Sequence, residues 1–96
     1  MNDQDLNILQ HDAIDLLKQL IAIPSFSKEE DKTADIIQQY LQSKNIVTER
    51  MLNNIWTKNK FFDGSKPTIL LNSHHDTVKP NSGYTLDPFK PIEKEN

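Results

Sequence analysis

Two imidazoles and a carboxylate stand side by side at His74, His75 and Asp76. The chemistry lies in the His-x-Asp spacing. A neutral imidazole is a common metal ligand. It binds best when its other ring nitrogen donates to a carboxylate, which fixes the tautomer and raises the basicity of the ligating nitrogen. Asp76 is close enough in sequence to fold back on His74 across a tight turn. His74 is therefore the candidate metal ligand, and Asp76 the candidate catalytic carboxylate that works through it. His75, as the immediate neighbour, points away from the same ion. Taken alone, His-x-Asp is short and common, and a turn or surface role is its bland alternative. His11 lies far off in another element and reads as a solvated residue near a helix start.

Placement sharpens the case. The apolar run Ile69, Leu70, Leu71 predicts a short strand over residues 68–73, buried on both faces. Open α/β sheets place their chemistry just beyond the carboxyl ends of their strands, which is where His74 and Asp76 fall.

The elements that must position this motif lie upstream. Ala13, Leu16, Leu17, Leu20 and Ile21 form one apolar helical stripe, which Leu9 extends by one turn backwards, with the clear helix signal beginning at His11 and residues 1–10 as a helical lead-in or a frayed tail. Pro24 ends that helix. Ser27 and Glu30 are spaced as a capping box for a second helix, and the acidic run Glu29, Glu30, Asp31 suits a helix N-terminus. That helix directs Thr33, Ala34, Ile37, Tyr40 and Leu41 to the core and stops near Asn45, which can take the left-handed conformation after the last turn. Residues 46–52 and 55–60 read as a hairpin turning at Asn53 and Asn54. Trp56 reads as a packing residue, and Tyr84 and Phe89 as anchors for the loop that follows the motif. The fold class expected is α/β: two N-terminal helices packed on a small mixed sheet made of the hairpin and the strand ending at Ser73.

Composition narrows the function. The net charge is -3, which gives no sign of a nucleic-acid partner. There is no cysteine, so no disulfide and no thiolate site. No apolar run approaches the ~20 residues of a membrane span, and the polar N-terminus is unlike a secretion signal. A cytoplasmic protein with no membrane partner is the expectation. The apolar fraction is 35% with two glycines, which suits part of a larger fold better than a finished domain.

The residues Leu-Leu-Asn-Ser-His-His-Asp-Thr-Val (70–78) resemble the first metal motif of the acetylornithine deacetylase / succinyl-diaminopimelate desuccinylase / carboxypeptidase G metallohydrolases. Asp87-Pro88-Phe89 follows at a matching distance. Upstream, Leu-Lys-Gln-Leu-Ile-Ala-Ile-Pro-Ser-Phe-Ser (17–27) is similar to that family's opening helix and Ile-Pro-Ser signature. The resemblance spans nearly the whole chain. It implies the N-terminal part of a di-zinc exopeptidase-like catalytic domain, with His74 as a zinc ligand and cobalt as a possible substitute. It also implies a bridging aspartate, a Glu-Glu pair and further ligands beyond Asn96, and a lid and dimerisation domain absent from this chain. The implied parent is a homodimer hydrolysing an N-acyl amino acid. N-acetylornithine in arginine biosynthesis, or a related N-acyl amino acid such as N-acyl-citrulline, is the first expectation. A desuccinylase comes next, then a dipeptidase. Residues 1–96 alone are expected to be inactive and metal-free, and to self-associate through uncovered surfaces. The reading from another class is a non-catalytic α/β module that docks on a partner.

Overall fold

The first helix, α1 (Asp3–Ala22), begins at a capping box the sequence reading did not assign. Asp5 N–H donates to the Asn2 side chain at 2.9 Å, and Asn2 N–H donates to the Asp5 carboxylate at 3.3 Å. Two orphan amides are thereby satisfied, and Asp3 and Asp5 lie at the positive end of the helix dipole. Of the two readings of the N-terminal stretch, the helical lead-in is the one that holds from Asp3 onward. It stops where Pro24 requires: Ile23 is already extended, at φ -114° and ψ 125°. The structure, a computed structural model, describes residues 2–95.

The Ser27–Glu30 capping box does not form. Residues 26–29 instead close a β-turn, Glu29 N–H donating to Phe26 O at 2.7 Å, with Lys28 at φ 71° in its third position, as a type II turn demands. The turn consumes the residues the box needed and moves the helix start on. The second helix, α2 (Asp31–Ser43), opens at Glu30 with no side-chain cap. Thr33 and Ala34 are fully buried, and Ile37, Tyr40 and Leu41 are half-buried, so this face meets expectation. At its end Asn45 takes φ 60°. Asn45 N–H reaches Gln42 O and Ile46 N–H reaches Leu41 O, each at 3.0 Å, which is the Schellman pattern.

The hairpin pairs β1 (Glu49–Met51) antiparallel with β2 (Asn54–Trp56), Arg50 opposite Ile55. Both strands are shorter than expected, and the turn falls on Leu52 and Asn53, with Leu52 at φ 55°. Arg50 explains the register. Its guanidinium donates to Asp35 at 2.6 Å and Gln38 at 3.1 Å on α2, and to Leu52 O at 2.7 Å. Arg50 and Ile55 therefore face α2, and Met51 and Trp56 face out. An exposed ion pair of this kind is worth only about 0.2–1 kcal/mol, so Arg50 sets orientation more than stability.

The expected strand over residues 68–73 is not formed. Ile69, Leu70 and Leu71 are 86%, 81% and 91% exposed, and the sheet has two antiparallel strands rather than a mixed set. The physical reason is that a strand buried on both faces needs a neighbouring strand and two covering layers. Among the described residues there are two helices and one hairpin, too few to supply both layers. The placement of His74 at a strand end therefore has no support here. The class remains α/β.

The same shortage of covering layers marks α1. None of its residues is buried, and Leu6, Leu9 and Leu17 are about half exposed. Ala34 is the one buried hydrophobic side chain among the described residues. Exposed aliphatic runs of this kind associate, so the chain is expected to sediment as larger species as concentration rises. Leu70→Lys should reduce that tendency. Sedimentation velocity across a dilution series reads it, and an unchanged distribution in the variant would clear the 69–71 segment of the effect.

Past the motif, Phe89 packs on Phe26 with ring centroids 6.3 Å apart, helped by an Asp87 side chain that accepts from Phe89 N–H at 2.9 Å. The segment near the end of the chain is held by Lys18 donating to Glu93 at 2.8 Å. That hydrogen bond, followed by charge attraction, lowers the Glu93 carboxyl from its ordinary value and raises the Lys18 ammonium. The Glu93 contribution is therefore present above the ordinary carboxylate range and fades as pH falls through the lowered value. The Lys18 contribution is present below the ordinary lysine range and fades as pH rises through the raised one. Residues 91–95 should be docked around neutrality and loosen at both extremes, and Glu93→Gln should remove the acid limb. Backbone amide relaxation of those residues against pH checks this.

Candidate metal centre

Residues 71–76 form one wall of an open cleft of about 670 Å³. Leu20 and Ile37 from the two helices and residues 53–56 of the hairpin form the others, with Glu30 also lining it. Two kinds of side chain emerge from the motif. His74 is 85% exposed and Asp76 39% exposed at their side chains, while His75 turns inward.

His74 Nδ1 donates to Asp76 Oδ1 at 2.8 Å. An ionised carboxylate only accepts, so Nδ1 carries a proton, and in the neutral ring Nε2 presents a lone pair to solvent. This is the tautomer and orientation in which a histidine binds a metal. His75 has no such free nitrogen. Its Nε2 faces the Asn53 carbonyl at 3.2 Å and its Nδ1 faces the Thr33 hydroxyl at 2.7 Å. A carbonyl can only accept, so Nε2 carries the proton, and in the neutral ring Nδ1 accepts from Thr33. That hydroxyl also lies 3.1 Å from Glu30 O, the longer of its two contacts.

The motif backbone is held as firmly as the His75 ring. Ser25, 2% exposed, donates through Oγ to His75 O at 2.8 Å. Its carbonyl accepts from Thr77 N–H at 2.8 Å, and Phe26 and Thr77 form an isolated parallel bridge. Ser25, Thr33 and Asn53 carried no site role in the sequence reading. The signal available was chemical: a hydroxyl at Thr33 on a face otherwise bound for the core requires a polar partner.

His74 fits zinc or cobalt as a single nitrogen donor with its other nitrogen already engaged. A catalytic zinc takes about three protein ligands and keeps one open position. Among the described residues no cluster of three histidine, aspartate or glutamate side chains converges on one point. His11 lies exposed on α1 and does not join His74.

Two desuccinylases share this stretch. The chain is 31% identical over 84 residues to the succinyl-diaminopimelate desuccinylase of Nautilia profundicola, a match covering 85% of this chain and 22% of that protein. It is 29% identical over 86 residues to the succinyl-diaminopimelate desuccinylase of Nitratiruptor sp., covering 88% of this chain and 23% of that protein. Coverage of this extent takes in His74 to Asp76 wherever the matched stretch starts. No protein-family profile matches the chain. The chain thus spans less than a quarter of the length of the curated relatives it matches. Among the described residues no helix is long and apolar enough to cross a membrane.

Proposed function

We propose that this chain contributes one metal-ligating histidine, His74, and the carboxylate that orients it, Asp76, to a metal-dependent amide hydrolase. In this reading residues 1–96 form the N-terminal part of a di-zinc exopeptidase-like catalytic domain, in a cytoplasmic, dimeric parent. The observation that carries it is the His74–Asp76 pair at 2.8 Å with Nε2 free at the mouth of a cleft. Its support is the likeness to two proteins named as desuccinylases over a stretch that includes both residues.

A bound metal would polarise the amide carbonyl and lower the pKa of a water molecule. Asp76 keeps the His74 tautomer fixed and its ring directed outward. The substrate class proposed is an N-acyl amino acid. The relatives' names favour a succinyl amide, and the motif pattern favours N-acetylornithine in arginine biosynthesis. Both share an acyl–nitrogen bond to a charged amino acid.

The donor set on this chain is incomplete, so the 96 residues alone should show no metal-dependent hydrolysis. A longer protein that continues this chain should hydrolyse N-succinyl or N-acetyl amino acids when loaded with zinc. An assay of both forms on both substrates decides the acyl group as well. Activity in the isolated chain would contradict the proposal, as would none in the longer protein on either substrate. The exposed segment 69–71 favours a second reading, a module that docks on a partner and does no chemistry. It would leave the longer protein inactive and His74 dispensable.

A further inference from the structure

We propose that His75, Thr33 and Ser25 are positioning residues: a polar bracket that presets His74 and Asp76 before any metal arrives. The inference rests on the reading of His74 as a metal ligand. Both faces of the motif are involved. On the inner face the His75 ring is gripped at both nitrogens, by the Thr33 hydroxyl at 2.7 Å and the Asn53 carbonyl at 3.2 Å. Along the backbone Ser25 holds residue 75 with its hydroxyl and residue 77 with its carbonyl, each at 2.8 Å. It thus straddles Asp76. With the His75 ring held inward, the side chains of His74 and Asp76 remain 85% and 39% exposed, on the open side of the motif, where they meet at 2.8 Å.

The bracket has to do this work because little else does. His74 is 85% exposed at its side chain, residues 69–71 just before it are open to solvent, and no strand ladder fixes the segment. Without the bracket, the carboxylate–imidazole contact would compete with water on a mobile loop, and the metal-ready tautomer would be lost to the mixture found in free histidine.

The test is nitrogen NMR of the full 96-residue chain labelled at histidine, without metal, at a pH well above the ordinary histidine range. In the natural chain His74 should show a protonated Nδ1 and a bare Nε2. Thr33→Val keeps the shape and removes the hydroxyl; it should move His74 to the mixed-tautomer position. His75→Phe should do the same, and serves if Thr33→Val fails to fold. Thr33→Ser should restore the natural signature. Leu41→Ala, about two helical turns along α2, loosens the fold without touching the bracket and should leave the signature in place. The proposal is overturned if His74 keeps its Nδ1 proton in both bracket variants, if Leu41→Ala loses it equally, or if Thr33→Ser fails to restore it. Zinc is then added to the natural chain. A preset tautomer with no zinc response at His74 would sink the metal reading and leave the positioning role standing.

Discussion

Under the proposed function, replacing His74 by alanine is expected to lower metal-dependent amide hydrolysis by about 10³-fold or more. Lewis-acid catalysis contributes several kcal/mol of transition-state stabilisation, and each ~1.4 kcal/mol is tenfold in rate. Losing a nitrogen donor weakens metal retention and displaces what remains. His74 has almost no packing role, because its side chain is 85% exposed. The loss should therefore appear in kcat/KM with little change in melting temperature. Asp76→Ala removes the acceptor on Nδ1 and should cost roughly 10–100-fold, the usual effect of deleting a ligand's hydrogen-bond partner. Measuring kcat/KM for both variants at saturating zinc orders them. A near-natural His74→Ala enzyme would remove the residue from the site.

The largest stability effect should come from Ala34→Leu, at about 1–3 kcal/mol, the usual cost of overpacking. Ala34 has no exposed surface and is the one buried hydrophobic side chain among the described residues. It directly follows Thr33, whose hydroxyl meets His75. The extra branch has no void to enter, so α2 must move away from its neighbours. In a domain of this size the midpoint of thermal unfolding should fall by roughly 4–8 °C per kcal/mol. The same displacement should draw Thr33 off His75, so the variant should also disturb the motif. A thermal melt followed by circular dichroism checks the first effect. An unchanged midpoint would show that this core is looser than its burial implies.

What could be read from the sequence was what depends on near neighbours. Pro24 ended α1 through its effect on Ile23, and Asn45 took the left-handed conformation that closes α2. The apolar and hydroxyl face of α2 followed from helical period. The two-residue spacing of His74 and Asp76 suffices for their contact, because a carboxylate two positions on lies within reach of the ring. The strand over residues 68–73 failed for the opposite reason. Its apolar run states only a need for cover; among the described residues it pairs with neither hairpin strand and finds no second layer. The Ser27 capping signal was real but lost to a competing turn, which the positive φ of Lys28 records. The bracket around His75 was invisible because its hydrogen bonds join residues 42 and 50 positions apart, and no local pattern announces such pairs.

The most direct test of the central claim is a zinc titration of the histidine-labelled chain followed by nitrogen NMR, since fast exchange reveals a ligating nitrogen even when affinity is low. The expected result is a shift confined to the His74 Nε2 resonance, with His75 and His11 unmoved and the response absent in His74→Ala. A response centred on His75 or His11, or an equal one in His74→Ala, would contradict the assignment of His74 as the ligand.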